Sequence, residues 1–344
     1  MIGFAFSSSM LMVPRSLSLS AWLGHIPFAS WLIEQLKPQS IVELGTHRGA
    51  SFLALCQAVD EQMLTARVFA VDTWEGDEHA GFYGEDIYNE LRTYQQRYYA
   101  GISEMLRMRF SEALHYFADG SVDLLHIDGL HTYEAVREDF ESWLPKLSSR
   151  AVVLFHDTCV REREFGVWQY WDEISRQYPS FEFTHTHGLG VLLVGEDRNP
   201  ELVKLAEVAA DGQFAPINHL FDALGRSVKG MEEIERLYVA LATERAEIAR
   251  LTQEQQQTQQ RQAELGAHEW QQLQQMCQEQ LQGVQQLAQS VQQVSQEVEA
   301  SGAAQRALVD SHLQSLQASI ATVVQRLESQ EQKLDRVRRP WWAS

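Results

Sequence analysis

Four titratable side chains in this chain stand where two apolar runs end. Asp128 and His131 follow VDLLHI, and His156 and Asp157 close the run AVVLFHD. Two imidazoles and two carboxylates at neighbouring strand ends are hard to explain as core filling; together they can move a proton or hold a cation. His131 is the first candidate for a general base, because an imidazole pKa of ~6.5 lies near working pH. His156 is the reserve, and Asp128 and Asp157 would orient the base or hold a cation that acidifies a hydroxyl. A plainer reading also stands, in which His131 only caps the helix that follows.

A second constellation lies earlier, in Ile41–Ser51, IVELGTHRGAS. A short apolar run ends in Glu43 and Gly45, and Gly49 precedes the next helical stretch. Gly45 allows a tight turn and close approach to a ligand, and Gly49 lets the loop pack on the helix start, whose free N–H groups face outward. The next apolar run, VFAVDTW, ends in Asp72. A carboxylate there can hold two ribose hydroxyls or close a turn. GTHRG is not GxGxxG, which weighs against a nicotinamide site.

These groups need elements to position them. Ile41–Leu44, Val68–Val71, Val122–Ile127 and Ala151–Phe155 read as buried strands, with helical spacing in Ser51–Val59 and Tyr133–Leu144 between them. Strands alternating with helices imply an α/β, Rossmann-like, mainly parallel sheet with helices on both faces. Phe181–Thr184 and Gly190–Val194 read as a closing antiparallel pair, turning at His185–Leu189. In such sheets ligands bind beyond the carboxyl ends of the strands, so all the groups above should share one cleft. Trp74, His79, Phe82 and Tyr83 of DTWEGDEHAGFYG could form a lid or acceptor platform, or a plain surface loop. FGVWQYW (165–171) reads as core packing, and His185 and His187 as turn residues or distant contacts.

Composition changes near residue 230. Met231, Ile234, Tyr238, Leu241 and Ile248 fall on steps of three and four, with Arg245 interrupting. A weaker series follows at Leu281, Val284, Ala288, Val291, Ser295 and Val298. Leu313, Leu316, Ile320, Val323, Leu327, Gln330, Leu334 and Val337 repeat the rhythm. This is the seam of a long C-terminal α-helical coiled coil, whose stripe needs a partner. Gly266 and Gly302 read as breaks, and RVRRPWW (336–342) as a frayed or contacting tail. The expected organisation is an N-terminal extension (1–24), an α/β domain (25–200), a helical connector (201–230), the coiled coil (231–337) and a basic, aromatic tail (338–344).

A net charge of -19 over 344 residues disfavours nucleic acid and anionic membrane surfaces. Cys56, Cys159 and Cys277 are too far apart for a metal knuckle, and their number does not suggest a disulfide framework. No transmembrane run and no signal peptide is read, which points to the cytoplasm.

The segments ELGTHRGAS, VDTWEGDEHAGFYG, FADGSVDLLHIDGLHTYEAVREDFESWLPKL and VVLFHDT resemble the class I S-adenosylmethionine-dependent methyltransferases. The resemblance is to the branch of the macrocin and mycinamicin sugar O-methyltransferases and the cephalosporin-hydroxylase-like proteins, over about residues 25–195. It implies a seven-stranded sheet with S-adenosylmethionine across the first strand tip. Glu43, Gly45, Thr46, Gly49 and Ser51 would line the donor, Asp72 would hold its ribose, and Phe110 and Ser111 would flank its adenine. It also implies a divalent cation such as Mg2+ on Asp128 and Asp157. Leu130 stands where that branch often has another Asp, and His156 where a further acid is often found, which puts the metal in question.

The expected activity is therefore O-methylation of a carbohydrate, glycan or glycosylated metabolite. The coiled coil would make a homo-oligomer or tether the enzyme to a glycan-assembly protein. Two alternatives stand beside it: a hydroxylase-like or other small-molecule modification on the same fold, and a degenerate domain acting as an interaction module.

Overall fold

The computed structural model describes residues 4, 6–77, 81–162 and 164–299, then 314–319, 321–322, 325–326 and 329. The chain falls into two compact units, Met1–Ala240 and Leu241–Ser344.

The first unit is built on seven strands: β1 (Ser40–Leu44), β2 (Arg67–Asp72), β3 (Ser103–Arg107), β4 (Val122–Ile127), β5 (Leu147–His156), β6 (Ser180–Phe183) and β7 (Leu189–Leu193). Their order across the sheet is β3-β2-β1-β4-β5-β7-β6. β1 pairs in parallel with β2 on one side and β4 on the other, so strand order reverses between β1 and β4. β7 is antiparallel to both β5 and β6, the closing pair expected from the sequence. β3 is absent from the strands read from sequence: in SEMLR, Glu104 and Arg107 are exposed, and no apolar run announces it.

Helices α1 (Ile26–Leu36), α2 (Ala50–Glu61) and α3 (Glu85–Tyr98) precede β3. Then come α4 (Phe110–Ala113), α5 (Tyr133–Trp143), α6 (Val167–Ile174), α7 (Pro200–Ala210) and α8 (Ala215–Glu299). Side chains alternate across a strand, and each parity feeds a different core. Ile41, Val68, Leu124, Val152 and Leu154 join α1, α2, α7 and the first turns of α8 on one face. Val42, Leu44, Leu125, Ile127, Val153 and Phe155 join α5 and α6 on the other. The residues before α1 share the first core, with Met10, Trp22 and Leu23 buried in it.

Parity also dictates where two polar residues go. Glu43 follows Ile41 by one pleat and His126 follows Leu124, so both point to the α1/α2 face, and they are register partners on β1 and β4. Both are fully buried. The His126 Nδ1 lies 2.9 Å from the Glu43 carboxylate, and the Trp22 indole N–H donates to His126 Nε2 at 3.1 Å.

α8 runs unbroken through Gly266, so the break expected there does not occur. Ile217, Phe221 and Val228, in its first part, are buried within the first unit. In the second unit Leu241, Ile248 and Leu281 of the expected seam are exposed. Gly302, most of the last seam (Leu313, Ile320, Val323, Leu327, Gln330, Leu334, Val337) and the 336–342 tail lie outside the described residues. Among those described, no helix is long and apolar enough to cross a membrane.

Candidate active site

A cavity of about 960 Å³ opens at the carboxyl ends of β1, β2, β4 and β5, where strand order reverses. That is the place for a ligand in an open α/β sheet. Gly45, Thr46, Ser51, Asp72, Phe110, Asp128, His131, His156 and Asp157 all line it.

Three expected contacts do not line it. Glu43 is turned to the buried pair with His126 described above. Gly49 serves packing instead: at φ +78 it starts α2, and a Cβ there would meet Leu91 Cδ1 at 2.5 Å. Ser111 is exposed on the first turn of α4. The lid expectation also changes. Trp74 is a buried anchor whose indole N–H donates to the His47 carbonyl at 2.9 Å. Phe82 is exposed, Tyr83 alone of the four lines the cavity, and His79 lies outside the described residues. Val167, Tyr170 and Trp171 are core residues as expected, but Phe165 lines the cavity and stacks on His131, ring centroids 4.5 Å apart.

On the β1/β2 side the geometry is set by backbone. Gly45 has φ +88, and a Cβ would sit 2.1 Å from the Asp128 carbonyl oxygen, so only glycine lets the β1 and β4 tips close this tightly. Asp72 Oδ2 accepts from the N–H groups of Thr46 (2.8 Å) and His47 (2.9 Å), while Oδ1 accepts from Trp74 N–H at 2.7 Å. One carboxylate thus closes its own turn and pins the first loop to the second strand, while still facing the cavity. Both readings of Asp72 from sequence meet in this residue, since three accepted bonds leave lone-pair capacity for a hydroxyl.

On the β4/β5 side the geometry is set by charge. His131 Nε2 lies 2.9 Å from Asp157 Oδ2 and 3.5 Å from Asp128 Oδ1. His156 Nδ1 lies 3.1 Å from Asp128 Oδ1 and 3.4 Å from Asp157 Oδ2, and His187 Nδ1 reaches Asp157 Oδ1 at 3.1 Å. Burial alone would lower the His131 pKa, but its hydrogen bonds to Asp128 and Asp157 outweigh that and raise it to about 9. Burial likewise opposes, and the two carboxylates overcome, a rise at His156 to well above the imidazole range. Burial would raise Asp128 and Asp157, yet the charge of His156 and bonds from both histidines hold them below the carboxylate range. His131 therefore holds a proton at neutral pH, contrary to the near-neutral pKa expected of it. Nor is it the cap of α5: the Thr132 hydroxyl accepts from Ala135 N–H at 3.2 Å and fills that role.

Backbone strain gathers at the same place. His47, Asp157 and His187 are non-glycine residues at φ +48, +62 and +71, and all three line the cavity. Such conformations cost free energy and persist where surrounding structure imposes them. Sequence reading left His187 a distant contact; its position beside β5 follows from the antiparallel β7, which no local motif announces.

Asp128, His131 and Asp157 offer donor atoms within 4.8 Å of one another, so the cluster can hold a metal ion. With imidazole among the donors, the set suits a borderline transition cation better than magnesium, which prefers oxygen alone.

Residues 42–158 match a family model described as a methyltransferase domain. Over 234 residues the chain is 50% identical to the uncharacterized protein y4gI of Sinorhizobium fredii (strain NBRC 101917 / NGR234), covering 67% of this chain and 24% of that one. The chain thus spans about a quarter of that relative's length. Among solved structures it is similar to a putative caffeoyl-CoA O-methyltransferase from Staphylococcus aureus, with 17% identity, 54% of this chain and 88% of that one covered, and a TM-score of 0.41. It is also similar to the O-methyltransferase TomG from Streptomyces achromogenes, with 15% identity, 56% and 92% covered, and a TM-score of 0.39. At such identities and scores neither likeness bears on activity. The match to a methyltransferase domain falls on residues 42–158, the segment that builds β1 to β5 and the cavity at their tips.

Proposed function

We propose that the chain transfers the methyl group of S-adenosylmethionine to a hydroxyl of a carbohydrate or glycosylated small molecule. The observation that carries this reading is the two-sided cavity: a backbone-laced loop with Gly45 and Asp72 faces a cluster of Asp128, His131, His156 and Asp157. The donor's ribose fits the Asp72 side, with Phe110 toward its adenine, and the acceptor hydroxyl fits between the donor and His131. The sugar class of the acceptor rests on the sequence resemblance.

Methyl transfer is an in-line displacement: the oxygen–carbon bond forms as the carbon–sulfur bond breaks, and the hydroxyl proton leaves to a base. In the resting cluster His131 and His156 are protonated. A sulfonium held nearby adds like charge, which favours neutral imidazole and draws out the base form when the donor is bound. Asp128 and Asp157 keep the rings oriented. A transition cation held by Asp128, His131 and Asp157 would supply Lewis acidity to the same hydroxyl.

The helix from Leu241 onward would pair with a second copy of the chain, since Leu241, Ile248 and Leu281 of its seam are exposed and a lone amphipathic stripe is unstable in water.

Calorimetry tests the donor site. We expect one S-adenosylmethionine per chain, with affinity at least about tenfold weaker in Asp72→Ala, the worth of one lost charge-assisted bond. No binding at millimolar donor would refute the reading. For turnover, kcat/KM should climb as pH rises toward 9, where His131 of the free enzyme loses its proton, and His131→Ala should remove that limb.

A further inference from the structure

We infer that the acceptor carries an anionic oxyacid group, a phosphate or a carboxylate, and that Arg161 binds it. This names the acceptor class for the reading above and rests on that reading only in calling the ligand an acceptor. The chain has 47 acidic and 28 basic residues, so an average patch of its surface is acid-rich. The cavity departs from that average. Arg48, Arg109 and Arg161 line it beside four carboxylates, of which Asp128 and Asp157 are already matched by His131 and His156, Asp72 accepts from three backbone N–H groups, and Glu162 is the fourth. A donor sulfonium would add to the positive side of that balance.

Of the three arginines, Arg161 is built for the task. Its guanidinium lies over the Trp168 ring, 4.5 Å from the centroid, and Nη1 donates to the Thr158 carbonyl at 2.8 Å. Thr158 directly follows Asp157, so this anchor ties the cation beside the charge cluster. Arg48 differs, for it has Glu90 at 3.8 Å. Among the described residues no carboxylate pairs with Arg161, and its Nε and Nη2 donate to nothing. A planar fork fixed by stacking, with one edge unspent, matches the two oxygens of an oxyacid. Phosphate and carboxylate share this chemistry, and the probes must separate them.

The test is calorimetry on the full chain with glucose 1-phosphate, glucuronate and glucose, with and without saturating S-adenosylhomocysteine. At least one anion should bind about tenfold or more tightly than glucose, and which one does so tells phosphate from carboxylate. Arg161→Gln should abolish that preference while leaving S-adenosylhomocysteine affinity and thermal melting unchanged. Equal binding of all three probes, or a preference that survives Arg161→Gln, would overturn the assignment. So would a loss of S-adenosylhomocysteine affinity in Arg161→Gln, which would give Arg161 to the donor. If S-adenosylhomocysteine fails to bind the wild type but the anion preference persists and depends on Arg161, the anion site stands and the methyltransferase reading falls.

Discussion

The two sides of the cavity are held by different physics. At the β1/β2 tips, shape comes from backbone: a glycine at φ +88 and one carboxylate that accepts three N–H groups. At the β4/β5 tips, shape comes from ion pairs of Asp128 and Asp157 with His131 and His156, joined by a hydrogen-bond contact between His187 and Asp157. A backbone-laced loop presents one fixed surface, as befits a site for one unvarying ligand. An ion-paired cluster changes with protonation, as befits a site where a proton must move.

The sharpest way to break this comparison is Gly45→Ala. The new Cβ would meet the Asp128 carbonyl at 2.1 Å, where the obstacle is backbone and the φ is unfavourable. We expect a loss of about 4 kcal/mol or more in denaturant unfolding, in the range of severe core substitutions; a loss under about 1 kcal/mol would mean the two tips are not locked together.

The charged side answers to pH. His131 is raised from 6.5 to about 9 in the folded chain, so its contribution is complete below 6.5 and is lost as pH climbs through 9. The span corresponds to about 3 kcal/mol. Asp128 and Asp157 are depressed, so their contribution is present above the ordinary carboxylate pKa and fades only in acid. Stability should therefore crest between roughly pH 4 and 6.5 and decline toward 9. His131→Gln should lessen the alkaline decline, with raised His156 supplying the rest, whereas a slope unchanged by that substitution would place the titration elsewhere.

Asp72→Asn sharpens the contrast, because an amide cannot accept on both sides. It should cost about 2 kcal/mol, the price of leaving a buried N–H unmet. A smaller effect is expected in the second unit. Gly266 sits inside α8 with nothing within 4 Å of an added Cβ, so Gly266→Ala should stabilise the helix by about 1 kcal/mol in thermal melts.

Much of this was legible in the sequence, for identifiable reasons. β1, β2, β4 and β5 are central and buried on both faces, so they read as apolar runs. β3 is an edge strand whose exposed Glu104 and Arg107 hide it. The cluster at β4 and β5 was visible because topology brings the carboxyl ends of neighbouring parallel strands together. The fate of Glu43 was also readable, though only by counting pleats from Ile41; nearness to the glycine loop suggested a ligand contact, and alternation sent it inward to His126. The His131 pKa was not readable at all, since it depends on Asp157, which the fold alone brings within 2.9 Å.

The most direct measurement is a crystal structure of the full chain with S-adenosylhomocysteine. The ligand should lie across the β1 tip, its ribose against Asp72 and its sulfur facing His131 and Asp157. Ligand bound elsewhere, or a ribose out of reach of Asp72, would contradict the two-sided site.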